Sequence, residues 1–311
     1  MFKKVISYTM IIIITLSLIG CSGKKEEIET QNGKLNIVVS FYAMEEFVKE
    51  IGKDKVNVYT IIPEGVEPHD FEPKAKDLRK LENADMLVLN GAGMEHWSKD
   101  VIKAVKNEKL KVIDTSQGVN LINISDENSN SSHIESENTH ENLGVDPHLW
   151  LGLTTAKIQS ENIKNALVEL DNANSKYYEE NYAAFANELD NLYKDYKVKF
   201  DSIGNKNFVT GHATFAYLCR DFNLNQISIE GVFAEGEPSP KKMKELTDLC
   251  KEKNIKTIFM ESLVSPQVSE TLAKEVDGKT ATIYTLHSKE DNLSYLESMK
   301  SNLDIIYNSL K

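Results

Sequence analysis

The stretch YEENYAAFANELDNLYKDY, residues 178–196, decides the architecture that we predict for this chain. Its large apolar residues recur at alternating intervals of four and three, which places them along one face of an α-helix. They are Tyr178, Tyr182, Phe185, Leu189, Leu192 and Tyr196. Neither Gly nor Pro interrupts residues 153–203. The pattern therefore predicts one long helix of about six or seven turns, roughly 40 Å in length.

On both sides of this helix, short apolar runs alternate with helical patterns. The predicted strands are residues 35–39, 56–62, 86–89 and 110–113 before it, and 208–210, 226–229, 257–260 and 282–286 after it. Strands that alternate with helices indicate βαβ units and parallel sheets. We therefore predict an α/β protein with two (β/α) lobes, 35–150 and 204–311, joined by linking helices in 151–203. The polar residues 171–174 favour a turn, so we expect them to separate the long helix from a shorter one before it.

The N-terminus predicts export and a lipid anchor. Lys3 and Lys4 precede an apolar run, residues 11–19, that is too short to cross about 30 Å of hydrocarbon. Cys21 follows Leu-Ile-Gly, and this placement resembles a bacterial lipobox, in which the cysteine thiol is acylated after cleavage. We expect residues 1–20 to be a signal peptide and 21–34 a tether. The mature protein would then be extracytoplasmic and held on the cell membrane through Cys21.

Composition is consistent with a soluble, two-lobed protein on that tether. The chain has 48 acidic and 36 basic residues, and this net charge of −12 argues against binding to nucleic acid. We expect a monomer. If Cys21 is acylated, Cys219 and Cys250 remain, either as a disulfide or as buried thiols. Residues 125–142 are rich in Ser, Asn and Glu and predict a flexible acidic loop that carries two histidines.

Three of the seven histidines lie in loops suited to a ligand site. His69 follows a predicted strand in Glu-Pro-His-Asp, His148 lies in Asp-Pro-His-Leu-Trp, and His212 ends a strand in Thr-Gly-His. In open α/β sheets, ligands bind beyond the carboxyl ends of the strands. The prolines before His69 and His148 fix the local backbone, and Gly211 permits a tight turn. Rigid imidazoles from distant segments are what a closed metal site needs.

At these motifs the sequence resembles the zinc/manganese (cluster 9) solute-binding lipoproteins of ABC importers. The resemblance covers nearly the whole mature chain and is most specific in the stretches 65–73, 146–150, 211–212, 239–242 and 258–261. It implies two α/β lobes bridged by a long helix, with the metal site in the cleft between them. It also implies an extracytoplasmic protein that captures a metal ion and hands it to the importer's membrane permease.

The resemblance further implies that His69, His148 and His212 are metal ligands. A fourth, carboxylate ligand is expected in the loop after the last strand, where this sequence departs from the usual pattern. We favour Glu290 by its spacing, and Asp291 and His287 are the alternatives. Three imidazoles with one carboxylate suit tetrahedral Zn²⁺, whereas Mn²⁺ prefers more oxygen ligands. The histidines of the acidic loop, His133 and His140, are candidates for gathering zinc.

The competing functions are a Mn²⁺- or Fe²⁺-binding homologue, a surface adhesin lipoprotein and a zinc hydrolase. The hydrolase is disfavoured because the sequence has no His-Glu-x-x-His and no Gly-x-Ser-x-Gly motif. We therefore predict a binding protein for zinc and not an enzyme.

Overall fold

A four-stranded parallel sheet with helices forms the N-terminal lobe. The computed structural model describes residues 33–124, 144–233, 238–262 and 265–311. The elements of this lobe are β1 (Leu35–Val39), α1 (Tyr42–Gly52), β2 (Val56–Thr60), α2 (Ala75–Glu82), β3 (Met86–Leu89), α3 (Ser98–Ala104) and β4 (Lys111–Asp114). The strand order is β2-β1-β3-β4, and all neighbours are parallel. All four residues of β3 are buried, as expected for a central strand with both faces covered.

Two helices follow this lobe: α4 (Leu153–Leu170) and α5 (Ser175–Asp201). The break between them is a short 3₁₀ turn, Asn172–Asn174, which confirms the predicted separation. Asp171 stabilises the break, because its carboxylate accepts hydrogen bonds from Asn174 and from the Tyr178 hydroxyl. At 27 residues, α5 is the predicted long helix, about 40 Å in length.

The C-terminal lobe repeats the first. It contains β5 (Asn207–Thr210), α6 (Ala216–Phe222), β6 (Asn225–Ser228), α7 (Pro240–Glu252), β7 (Thr257–Met260), α8 (Pro266–Glu275), β8 (Lys279–Thr282) and α9 (Tyr295–Leu310). Its strand order, β6-β5-β7-β8, matches that of the first lobe, and its strands are also parallel. Two α/β lobes joined by a long helix are therefore confirmed. The proposed boundaries, 35–150, 151–203 and 204–311, stay predictions.

The last strand was predicted in the wrong place. The apolar residues 282–286 suggested a strand, but β8 is a more polar segment that runs from Lys279 to Thr282 and lies at the sheet edge. An edge strand does not need apolar residues on both faces, so its sequence carries little signal. Ile283 and Leu286 are instead buried in the loop after β8.

Helix α5 packs against helices of both lobes. It contacts α1 of the N-terminal lobe, α4, and α6 and α9 of the C-terminal lobe. Phe185 shows the junction: its ring lies 5.9 Å from that of Phe47 in α1 and 6.2 Å from that of Tyr295 in α9. One hydrophobic core therefore includes residues from both lobes and from α5.

Truncating Phe185 should destabilise both lobes together. Its side chain is only 2% exposed, so Phe185→Ala should lower the free energy of unfolding by about 3–5 kcal/mol. Val198→Ala, at a 73%-exposed position of the same helix, is the control and should change it by less than about 0.5 kcal/mol. Denaturant titration followed by circular dichroism measures both. Equal effects of the two substitutions would show that the Phe185 side chain does not help to pack the two lobes together.

The structure shows the state of the two cysteines outside the predicted lipid anchor. Cys250 is buried and Cys219 partly buried, and both are thiols rather than a disulfide. Burial raises the pKa of the Cys250 thiol to about 11.

Within the described ranges, no helix is both long enough and apolar enough to cross a membrane. The predicted signal peptide, Cys21 and the tether up to residue 32 lie outside the described residues.

Candidate metal centre

The structure brings the three predicted histidines together. His69 lies in the 3₁₀ turn Pro68–Asp70 after β2, and His148 immediately precedes the 3₁₀ turn Leu149–Leu151 before α4. His212 follows β5 by two residues. One ring nitrogen of each lies within 4.8 Å of those of the other two. His148 and His212 are fully buried, and His69 is partly buried.

The distances within this group suit a single small ion. The two Nε2 atoms of His69 and His148 are 3.1 Å apart. The ring centroids are 5.1 Å apart for His69 and His148, and 5.6 Å apart for His148 and His212. Among the described residues, Nε2 of His212 has no hydrogen-bond partner although it is buried. A buried polar atom without a partner is costly unless a ligand supplies one.

A carboxylate lies behind each of the two fully buried imidazoles. Oδ1 of Asp146 is 2.8 Å from Nδ1 of His148, and it also accepts the His148 backbone N–H. Glu261, which follows β7, makes the same contact with Nδ1 of His212, and its other oxygen accepts the His212 backbone N–H at 3.0 Å. Because a carboxylate accepts hydrogen bonds, it favours a proton on Nδ1 and leaves the Nε2 lone pair for a metal.

Contacts from other elements hold the loop that carries His148. The amide of Asn90, after β3, donates to the carbonyl of Pro147 at 2.9 Å and itself accepts from the Gln159 amide of α4. From the C-terminal lobe, the Tyr217 hydroxyl donates to the carbonyl of Asp146 at 2.7 Å. The imidazole is therefore held in place by both lobes.

The three imidazoles differ in their affinity for protons. Burial, together with the neighbouring His148, lowers the pKa of His69 to about 2. Burial and the nearby His212 likewise lower the pKa of His148 well below its usual range. Burial also acts to lower the pKa of His212, but the carboxylate of Glu261 outweighs it, so this pKa is raised.

The carboxylates behind these histidines had no predicted role. Asp146 and Glu261 lie in the motif stretches 146–150 and 258–261, but neither was predicted to contact a ligand. Their positions carried a signal, since Asp146 lies two residues before a candidate ligand and Glu261 directly follows a parallel strand. Pairing each with its histidine, however, required the fold, because Glu261 is 49 residues from His212.

The three candidates for a fourth ligand have different surroundings. Glu290 is partly buried, and burial raises its pKa; it does not belong to the three-histidine group found among the described residues. Asp291 is exposed and accepts a hydrogen bond from the Tyr284 hydroxyl at 2.6 Å. His287 is buried, and its ring centroid lies 6.2–6.5 Å from those of all three histidines. The assignment of Glu290 stays a prediction.

Comparison with known proteins identifies a family that matches most of this chain. The family described as zinc-uptake complex component A, periplasmic (ZnuA), matches residues 37–309. A putative metal-binding protein of Treponema pallidum is 38% identical, covering 93% of this chain and 91% of that protein. The high-affinity zinc uptake system protein ZnuA of Bacillus subtilis is 36% identical, covering 100% of this chain and 99% of that protein.

A solved structure shares the fold as well. The laminin binding protein Lmb of Streptococcus agalactiae, described as bifunctional with adhesin and metal transporting activity, superimposes with a TM-score of 0.79. It is 32% identical, covering 89% of this chain and 100% of that protein. With residues 37–309 matched by one family and full-length relatives above 30% identity, this chain belongs to the ZnuA family of zinc-uptake proteins.

Proposed function

We propose that this protein binds one Zn²⁺ ion outside the cell and delivers it to the membrane permease of an ABC importer. The observation that carries the proposal is the convergence of His69, His148 and His212 from two lobes on one point. The family and the name of the Bacillus subtilis relative support zinc uptake as the purpose of that site. In this role the metal is cargo, and no catalytic step is needed.

The donor atoms favour zinc over manganese. Neutral imidazole suits Zn²⁺, whereas Mn²⁺ prefers carboxylate, carbonyl and water oxygens. In this site the carboxylates of Asp146 and Glu261 face the Nδ1 atoms of two histidines. They therefore orient imidazole ligands and are not themselves placed as metal ligands. An outer shell of this kind raises the basicity of the ligands.

Elemental analysis tests the proposal directly. Protein purified without added metal should carry one equivalent of zinc, and the metal-free protein should take up one equivalent of Zn²⁺ in preference to an excess of Mn²⁺. Cells that lack the protein should accumulate less zinc from a chelated medium, with manganese uptake as the control. Protein that retains manganese in place of zinc, or no metal at all, would overturn it.

The Glu261 carboxylate, which contacts His212, should raise zinc affinity without itself binding the metal. In Glu261→Gln an amide can donate to Nδ1, which favours the tautomer with its proton on Nε2 and so opposes metal binding. We expect zinc affinity to fall by about 10–100-fold, as is usual when an outer-shell partner is lost. Competition with a zinc chelator measures the change. Glu72→Gln, which alters the exposed partner of His96, is the control.

The acidic loop should be dispensable for the fold. Residues 125–142 lie outside the described residues, but the segments on either side pair with each other: Ile124 N–H donates to the Gly144 carbonyl, and Asp146 N–H donates to the Ile122 carbonyl. Because the ends already meet, replacing 125–142 with Asn-Gly leaves a three-residue connection between Ile124 and Gly144, and it should leave the melting temperature and one tight zinc site unchanged. A large drop in melting temperature would show that the loop is structural. Loss of weaker zinc binding alone would assign a gathering role to His133 and His140.

Export and anchoring complete the proposal. The supporting feature is the sequence before Cys21, which resembles a lipobox. Two acyl chains hold a protein durably on a membrane, whereas one does so only marginally. Cys21→Ala should therefore move the protein from the membrane fraction to the soluble fraction.

The proposed monomer is tested by light scattering of the protein without residues 1–21.

A further inference from the structure

Helix α6 of the C-terminal lobe has an apolar face and a polar face. On the apolar face Phe222 packs on α5, and its ring centroid lies 5.3 Å from that of Phe200. The polar residues Tyr217, Arg220 and Asp221 are three and four positions apart, so they lie together on another face of the helix. All three contact residues of the N-terminal lobe or of α4. The polar face of α6 therefore joins the two halves of the chain.

A short two-stranded stem before and after the acidic loop is one partner of this face. We call residues 122–124 and 144–146 the stem, because they pair with each other in antiparallel fashion. Its last residue, Asp146, provides the carboxylate that lies 2.8 Å from Nδ1 of His148. The position of the stem therefore determines where this carboxylate lies relative to the imidazole.

The Tyr217 hydroxyl joins the two strands of the stem. It donates to the Asp146 carbonyl at 2.7 Å and accepts the Ile122 backbone N–H at 3.3 Å. The Asp146 backbone N–H in turn donates to the Ile122 carbonyl at 2.9 Å. The Tyr217 side chain is fully buried, and leaving such buried groups without a partner is costly. Tyr217 thus holds the end of the stem that leads to His148.

Arg220 and Asp221 fix α6 against the same part of the chain. The Arg220 guanidinium donates to the Asn120 carbonyl just before the stem, and its Cζ lies 4.9 Å from the centroid of the Tyr217 ring. The buried Asp221 carboxylate accepts the Thr154 backbone N–H at 3.1 Å and also the Thr154 hydroxyl, so it caps the first turn of α4. Contacts before the stem and after it therefore set the position of α6.

The backbone before α4 packs directly on Tyr217. A Cβ added at Gly152 would lie 2.8 Å from the Cβ of Tyr217 and 3.2 Å from its backbone carbonyl carbon, which is closer than side chains normally pack. Gly152 immediately precedes α4. The base of the Tyr217 side chain is therefore fixed, and its hydroxyl reaches the stem from a defined position.

We propose that Tyr217 is a positioning residue for zinc binding, which acts on His148 through Asp146. This inference rests on the zinc-binding function proposed above. By holding the stem, the Tyr217 hydroxyl keeps the Asp146 carboxylate beside Nδ1 of His148, which leaves Nε2 as the metal-binding atom. Arg220 supports this arrangement through the Tyr217 ring and the residue before the stem. The C-terminal lobe thus orients a ligand that belongs to the N-terminal lobe.

The stem and the loop that it carries should differ in their effect on zinc. Replacing residues 125–142 keeps the stem and its contact with Tyr217, so it should leave the tight site unchanged. Tyr217→Phe keeps the loop but removes the hydroxyl that joins the two strands of the stem, so it should weaken the tight site. The two changes therefore test the stem apart from the loop.

Zinc affinity measured by competition with a chelator is the first test. Tyr217→Phe should lower it by about 10–100-fold, as is usual when an outer-shell contact is lost. Tyr178→Phe is the matched control: this buried tyrosine also donates through its hydroxyl, to Asp171 at 2.8 Å, but its partner lies in the break before α5. The control should keep the parental zinc affinity. Parental affinity in Tyr217→Phe, or an equal loss in both variants, would overturn the proposal.

A double-substitution cycle tests the route through Asp146. Asp146→Asn places an amide beside Nδ1 of His148, which favours the wrong tautomer and should itself lower zinc affinity. In that background the exact position of the side chain matters less, so Tyr217→Phe should reduce affinity by fewer fold than it does in the parent. The same fold-change in both backgrounds would show that Tyr217 does not act through Asp146.

Nitrogen-15 NMR of the zinc-free protein gives a readout that a general loss of stability does not change. In the parent, His148 should carry its proton on Nδ1. Tyr217→Phe should add the tautomer with the proton on Nε2, whereas Tyr178→Phe should not. An unchanged His148 tautomer in Tyr217→Phe would contradict the proposal.

These outcomes separate the inference from the proposed function. A parent that takes up no zinc removes the proposed function, but the tautomer of His148 still tests the positioning contact because it is measured without metal. Should Tyr217→Phe fail to fold by circular dichroism, Arg220→Gln replaces it, since Arg220 is exposed. This variant should lower zinc affinity and add the second tautomer, each to a smaller extent. Parental values for both in Arg220→Gln would then overturn the proposal.

Discussion

Replacing His212 or His148 with alanine should abolish tight zinc binding. Each imidazole supplies one of four bonds to a buried ion, and its loss opens a closed site. Because changes in the outer shell alone cost about 10–100-fold, loss of a ligand should cost more than about 100-fold in affinity. His69→Ala should have the same direction of effect. Isothermal titration in competition with a chelator measures the affinities.

The alanine variants also leave a carboxylate buried without its partner. In His212→Ala the side chain of Glu261, 4% exposed, loses its contact with Nδ1. An unpaired buried charge is destabilising, so the metal-free variant should itself melt earlier than the parent. His212→Gln reduces this effect and isolates the loss of the ligand. His96→Ala, at an exposed histidine, should change neither quantity. Two single variants that bind zinc as tightly as the parent would contradict the site.

The fold could be predicted from sequence wherever a pattern is long or strongly apolar. The stripe from Tyr178 to Tyr196 predicted α5, and the fully buried β3 was predicted at its observed bounds. The prediction was wrong for β8, because an edge strand of polar residues has no hydrophobic pattern and the apolar residues beside it belong to a buried loop. Periodicity reports which residues are buried and only indirectly which are paired.

The candidate site was predictable in part for a similar reason. His69 and His212 each follow a parallel strand, where α/β sheets place their ligand sites. The two strands belong to different sheets, so only the family resemblance implied that the two loops meet. The fourth position was harder, because His287, Glu290 and Asp291 lie within one short loop. Which of them faces the site depends on the backbone. Leu286 and Asp291 both adopt positive φ angles, 55° and 50°, which few such residues do and which no local pattern announces.

Zinc should raise the melting temperature strongly at pH 7.5. A ligand that binds only the folded state stabilises it by about 4.1 kcal/mol when present at 1,000 times its dissociation constant. For a chain of 311 residues, with an unfolding entropy of about 2.1 cal/mol/K per residue, that corresponds to roughly 6 °C. The metal-free protein should nevertheless be folded, because the two lobes and α5 share one large buried core and a second buried core lies in the C-terminal lobe. Scanning calorimetry with and without Zn²⁺ measures both. An unfolded metal-free form would mean that the metal is structural.

The free energy of unfolding that zinc adds should depend on pH as expected if zinc displaces one proton from the three histidines. In the folded protein the pKa values of His69 and His148 are lowered, so these two imidazoles are already free of protons well below their unfolded value of about 6.5. The pKa of His212 is raised by Glu261, so a proton must leave this residue before zinc binds. Below that pKa, each pH unit should reduce the zinc increment by about 1.4 kcal/mol, whereas three protons would reduce it by about three times as much.

The metal-free protein should lose stability over the same range for a separate reason. Below about pH 6.5 the unfolded chain takes up protons at His69 and His148 that the folded chain does not, so its free energy of unfolding falls as the pH falls. His212 acts in the opposite direction: its raised pKa contributes stability that is fully present below about pH 6.5 and is lost as the pH rises through the folded value. Two residues against one leave a net loss in acid. If each zinc ion displaced three protons between pH 7.5 and 5, the buried histidines would not be held neutral by the fold.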